Sequence, residues 1–252
     1  MRPLVVLVAL SMAVMMPSAA SAAGRVAFVA GNGAYKKAAQ LPNAPISAKA
    51  MAALLQDAGF DVMQAIDLTR DEMIQRLLEF GKKSQGAELA VFYYAGLGFT
   101  VGGAEYLVPV DADIKAEADV DLGAAIDIAA TVDQTLGDVK VRLIFLDANR
   151  DNPFVTKLRR SEPAPRSGLA AMKPGSPDTL IGYATGPGQT APDGPQGTIR
   201  PFTRALIANI TAPGVEIQQA MVRVRAQVNE ETKRSQLPWG HSNIVGMLYL
   251  RP

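Results

Sequence analysis

Tyr93 to Phe99 reads Y-Y-A-G-L-G-F, and Asp147 to Pro153 reads D-A-N-R-D-N-P. Each stretch follows an unbroken apolar run, Leu89 to Tyr94 and Val141 to Leu146. Runs this short and this apolar fit strands buried on both faces of a sheet, with the small and polar residues taking the chain out at the carboxyl end. In an open α/β sheet, ligands bind beyond those carboxyl ends. Both stretches therefore fall where a site belongs.

Working outward, strand-like runs alternate with helical patterns, the signature of a mainly parallel sheet covered on both faces. Val26 to Ala30 predicts a first strand and Phe60 to Ala65 a second. Between them Met51, Leu54, Leu55 and Ala58 recur at helical spacing, with Ser47 as a candidate cap. Thr69-Arg70-Asp71-Glu72 is a capping box for a helix carrying Met73, Leu77 and Phe80, which should stop near Gly86. Gly102-Gly103 predicts a hairpin turn into Tyr106 to Val110. A helix is expected around Ile128 to Leu136, a fifth strand over Thr179 to Ala184, and a helix over Pro201 to Ile210. Ile217, Met221, Val224 and Val228 mark a last helix, and Ile244 to Leu250 is expected to close the sheet.

These blocks resemble the caspase-like peptidases of clan CD (peptidase C14), specifically the bacterial metacaspase and orthocaspase branch. There the first motif ends Y-A-G-H-G and the second is D-A-C-R-x-N-P. R-V-A-F-V-A-G-N-G-A-Y from Arg25, Y-L-V-P-V-D-A-D from Tyr106 and Y-A-T-G-P-G-Q-T-A from Tyr183 match the family in order. The resemblance implies a caspase-like three-layer α/β sandwich with a mainly parallel six-stranded sheet. It also implies a cysteine endopeptidase cleaving after Arg or Lys, but Leu97 stands at the histidine position and Asn149 at the cysteine position. Their separation of 52 residues fits the family's histidine-to-cysteine spacing of about 50.

Thiol catalysis needs a thiolate beside an imidazole. A carboxamide is not an ordinary nucleophile, and a leucine side chain carries no exchangeable proton. The chain has no cysteine, and its one histidine, His241, reads as part of a turn before the last strand. No G-x-S-x-G elbow is present. The expectation is a pseudopeptidase that binds a peptide or protein. An alternative is a hydrolase of other chemistry using Asp147, Asp151 or Thr185 in the same cleft.

The resemblance places Asp147 at the base of a specificity pocket for a basic residue, while a second family acid aligns with Pro187. Two readings of Asp147 stay open: pairing with a ligand cation, or a structural strand-end carboxylate held by Arg150 or capping the next turn. Gly96 and Gly98 match the glycines flanking the family's histidine, and Gln189 in the fifth block is a further candidate ligand contact. G-N-G-A-Y-K from Gly31 is a weak dinucleotide signal, since its sixth residue is Lys36. Asp111, Asp113, Asp119 and Asp121 lack the glycine and terminal glutamate of a calcium loop. No metal and no cofactor is expected.

Residues 1 to 22 read as a cleaved secretory signal: Arg2, an apolar Leu4 to Met16 too short to span a bilayer comfortably, and Ala20-Ser21-Ala22 before the cut. The remaining residues, 23–252, suit one domain, with an exposed proline-rich loop over 152–177. Export to a periplasm is expected, with no stable membrane anchor. Losing Arg2 leaves 24 basic against 24 acidic residues, which argues against nucleic acid as a partner. A monomer is expected, possible partners being a peptide with a basic residue or an active homologous peptidase.

Overall fold

The computed structural model describes residues 24–149, 153–154, 158, 166–167, 169 and 176–251. The expected leader, Arg150, Asp151 and most of the 152–177 loop lie outside the described residues. Six strands form the continuous path of the sheet, in the order β2 (Asp61–Ile66), β1 (Arg25–Gly31), β3 (Leu89–Val101), β6 (Val141–Asn149), β8 (Thr179–Tyr183), β9 (Trp239–Ser242). Every neighbouring pair is parallel except β8 with β9. Three short strands flank the end of β3: β4 (Ala104–Leu107), β5 (Ile126–Asp127) and β7 (Arg166–Ser167).

Helices cover both faces, as a parallel sheet requires. On one side α1 (Asn43–Asp57), α5 (Pro201–Asn209) and α6 (Ile217–Glu231) bury Met51, Leu55, Leu206 and Val224 against Val29, Val91 and Phe145. On the other, α2 (Arg70–Ser84) and α4 (Ile128–Leu136) bury Met73, Phe80 and Leu136 against Phe28, Phe92 and Ile144. A short helix, α3 (Glu117–Asp121), sits in the acidic segment. Among the described residues no helix is long and apolar enough to cross a membrane.

Local rules account for most boundaries. Glu72 Oε2 accepts the Thr69 N–H at 2.9 Å, half of the expected box, and the Thr69 hydroxyl also turns to that oxygen, 2.6 Å away. Gly102 and Gly103 both take the left-handed φ (58° and 83°) that a tight β-hairpin turn asks of its central residues. Asp127 caps α4 by accepting the Ala130 N–H.

Three expectations need correcting. Ser47 does not cap α1, which starts four residues earlier. The Ser47 side chain is buried inside that helix and accepts the Arg200 N–H at 3.1 Å. β3 does not end at Tyr94 but continues to Val101, because β4 and β7 supply new neighbours to pair with. Ile244 to Leu250 does not close the sheet; Trp239 to Ser242 does. β9 runs antiparallel to β8, and past Ser242, opposite Leu180, β8 has almost run out. The chain leaves the edge at Asn243, whose N–H still reaches Thr179 O; the Ile244 N–H turns back to Ser242 Oγ and the Val245 N–H to the Asp178 side chain. The pairing recorded for this run is one isolated antiparallel bridge, Tyr249 with Glu216, with Ile217 N–H donating to Leu248 O, and a single bridge off the sheet is not a strand.

Candidate functional site

The two motif stretches meet on adjacent rungs of the sheet. In the β3–β6 ladder Ala95 faces Asp147 and Gly98 faces Asn149, three steps on one strand against two on the other. The extra residue is a bulge at Gly96–Leu97, and bulges re-aim side chains at strand ends. The 52-residue separation thus closes to neighbouring strands.

Leu97 is not at the rim of an open cleft. It is 4% exposed and belongs to the core on the α1 side of the sheet. Its N–H donates to the Tyr35 hydroxyl at 2.7 Å, and its carbonyl accepts from Val108 N at 3.1 Å. Tyr94 Oη donates to Val108 O at 2.9 Å and stands 3.2 Å from Tyr35 Oη. Each phenol has one proton, so the order runs Leu97 N–H to Tyr35 to Tyr94 to Val108 carbonyl. Burial pushes the Tyr35 hydroxyl up to about 12 and raises Tyr94 well above its ordinary value, so both stay protonated and able to donate.

The flanking glycines are required by this packing. A Cβ on Gly96 would stand 2.5 Å from Tyr94 Oη and 2.7 Å from Tyr35 Oη. One on Gly98 would come within 2.9 Å of Leu169 Cδ2 and 3.1 Å of the Ala148 Cβ. Leu169, itself fully buried, occupies the space beside Gly98. The backbone of Asn149 lies in β6; its side chain is outside the described residues.

Asp147 faces inward, at 1% exposure. Thr203 Oγ1 donates to its Oδ2 at 2.7 Å, and Tyr93 Oη lies 2.6 Å from Thr203 Oγ1. Arg200, wholly buried at the N-cap of α5, donates from Nη1 to the Asp147 carbonyl at 2.8 Å and lies 3.7 Å from its Oδ1. Its Nε donates to Asp193 Oδ1 at 2.7 Å. Arg200 and Thr203 were not among the residues the sequence singled out. Pro201 signals a helix start, but nothing local says that the preceding arginine turns inward. The proposed alternative partner, Arg150, lies outside the described residues.

Gln189 is exposed, and its Oε1 accepts from Thr185 Oγ1 at 3.1 Å, with Thr185 itself buried. His241 lies on the edge strand β9 opposite Ile181, with its ring edge-on to Trp239 at 4.7 Å. The structure brings Gly96, Leu97, Gly98, Asp147 and the Asn149 backbone together, and leaves His241 away from them.

The other candidate motifs are structural in what they touch. Asp67, itself at a left-handed φ of 53°, accepts the N–H groups of Gly33 and Ala34 at 2.7 and 2.8 Å, so the loop after β1 already holds a carboxylate. In the acidic segment, Asp111 accepts from Arg70 N, Asp119 accepts from Lys115 N and Ala116 N, and Asp113 pairs with the Lys115 ammonium. Those amide bonds hold Asp119 below the usual carboxylate range. Among the described residues no group of three His, Cys, Asp or Glu could hold a metal ion.

One further group was missed by the sequence reading. Glu105 on β4 is 5% exposed, and Tyr183 Oη donates to its Oε2 at 3.1 Å. Burial pushes its carboxyl up to about 8 against the pull of that hydrogen bond.

A family model described as the caspase domain, Peptidase_C14, matches residues 24–249. The chain belongs to that family, and the six-stranded path with helices on both faces is the fold the family implies. No curated protein shows a significant match to the chain.

Proposed function

We propose that this protein is an exported, catalytically inactive member of the metacaspase–orthocaspase branch that works by binding a peptide or protein. The reading rests chiefly on one observation: leucine and asparagine stand at the two positions where the family motif carries histidine and cysteine, and no thiol exists anywhere in the chain. The surroundings of Leu97 support it. An apolar side chain in the core, beside an amide already bonded to Tyr35, offers neither a base nor a free oxyanion donor.

The buried Arg200 contact also bears on the ligand. A basic side chain could reach the Asp147 carboxyl only by displacing an internal guanidinium, so Asp147 is a poor anchor for an arginine ligand. Recognition on this reading falls to exposed groups near the strand ends, such as Gln189, with an active homologous peptidase as one candidate partner.

The test is incubation of purified protein with Arg- and Lys-ended fluorogenic peptides, with and without calcium, followed by mass spectrometry for an acyl adduct. No turnover and no adduct are expected. Cleavage that follows the chain through purification, or any covalent acyl-protein, overturns the proposal.

A further inference from the structure

A file of four side chains crosses the sheet face that carries α2 and α4, from the β3–β4 hairpin to the edge strand. Tyr183 Oη on β8 donates to Glu105 Oε2 on β4 at 3.1 Å. The Tyr183 ring lies against Trp239, with centroids 5.9 Å apart, and Trp239 in turn meets His241. β4 pairs only with β3 and β5. The Glu105–Tyr183 bond therefore spans β3 and β6, the two strands that carry the motif stretches.

Only a neutral Glu105 suits this place. The side chain is buried, and its Oε1 has no hydrogen-bond partner. Among the described residues, the titratable groups that reach it are Tyr183 from β8 and Asp127 from β5, and Asp127 repels a carboxylate. Thr100, opposite on β3, brings no charge. Arg166 on β7 stands across from Thr100, with its side chain outside the described residues. His241 is separated from Glu105 by the rings of Trp239 and Tyr183. The Tyr183 bond favours the ionised form, but the loss of water outweighs it. A carboxylate left there with one donor gains most by reaching water.

The hairpin is the side of this contact that can yield. β8 is held on both flanks, by β6 and β9. β4 leaves β3 through the Gly102–Gly103 turn, and its other neighbour, β5, pairs only with Tyr106 and Leu107. Leu107 and Val108 are fully buried, and the Val108 N–H is fixed to Leu97 O. The tip from Val101 to Glu105 can thus lift while its base stays in place. We propose that the Glu105–Tyr183 contact is a proton-operated latch: protonated Glu105 holds the hairpin tip across the ends of β3 and β6, and loss of that proton releases the tip.

Trp239, the chain's one tryptophan, reports on the latch because it packs against Tyr183. In the purified protein its fluorescence should follow a one-proton transition with a midpoint no higher than about 8. Hydrogen exchange, corrected for its intrinsic pH dependence, gives the opening constant of the 101–105 amides. On the acid side of the midpoint that constant should rise about tenfold per pH unit, the slope of one released proton. Amides of α6 should show no such rise. Glu105→Gln keeps an acceptor for Tyr183 without an ionisable group, so it should abolish both changes. His241→Gln and Arg166→Gln should leave both in place. The proposal is overturned by the absence of a transition in the unaltered protein, by one that survives Glu105→Gln, or by its loss in His241→Gln or Arg166→Gln. An equal rise of exchange in α6 would also overturn it, in favour of unfolding of the whole domain.

Discussion

Arg200 and Asp147 form a buried pair at the end of the central strand: one guanidinium nitrogen lies 2.8 Å from the Asp147 carbonyl and 3.7 Å from its carboxyl oxygen, with neither side chain more than 1% exposed. The contact joins the motif-bearing end of β6 to the start of α5. Through Asp193 it also ties in the loop that Asn43 holds by donating to the Asp193 and Pro195 carbonyls at 2.9 and 2.8 Å.

Removing one partner of such a pair leaves an uncompensated buried charge. Arg200→Met should therefore cost ~3–5 kcal/mol. The double variant Arg200→Met, Asp147→Asn should recover part of that loss, because the amide keeps a group for Thr203 without the charge. Urea denaturation of the three proteins measures it. Additive losses in the double variant would show that the pair is not coupled.

Gly96 is held in place by two phenols. Gly96→Ala should cost ~1–3 kcal/mol by overpacking against Tyr94 Oη and Tyr35 Oη. Tyr35→Phe should cost ~1–3 kcal/mol by a different route, leaving the buried Leu97 N–H without its acceptor. Because Tyr35→Phe also removes one of the clashing oxygens, the combined loss should be less than the sum of the two. Thermal melts of the single and double variants check this.

Glu105 makes stability fall with rising pH. Its folded carboxyl titrates near 8 and an unfolded one near 4.5, so the folded state holds the proton more tightly. Its contribution is complete below pH 4.5 and is lost progressively as pH rises to about 8, a change on the order of 5 kcal/mol. Glu105→Gln should flatten the difference in unfolding free energy between pH 5.5 and pH 8.5. An unchanged slope would remove Glu105 as the cause.

Leu97→Ala should cost ~2–5 kcal/mol, as for other leucines taken out of a packed core. An open-cleft position would instead tolerate the change within a few tenths. Chemical denaturation distinguishes a packing leucine from a surface one. For the same reason Leu97→His should destabilise the fold before it supplies a base, since the imidazole would enter an apolar, nearly closed space.

Much of the fold was legible because its signals are local. The run of Leu89 to Tyr94 could be nothing but a buried strand or a short core helix, and its length and aromatic content chose the strand. Thr69 and Glu72, Gly102 and Gly103, and the stripe of Ile217, Met221, Val224 and Val228 each act within a few residues, so they read directly. Ile244 to Leu250 misled because strand formation needs a neighbour, and composition does not report where β8 stops.

By itself the sequence determined the alternation of strands and helices, the caspase-like order of motifs, and the absence of a thiol, since covalent identity and short-range periodicity are properties of the chain. Only the tertiary structure decided that Leu97 packs inward, that Asp147 is answered by Arg200, and that Glu105 keeps its proton. Those outcomes depend on which groups are brought together after water is excluded. The partners lie 53 residues away for Asp147 and 78 for Glu105, well beyond the reach of any local pattern.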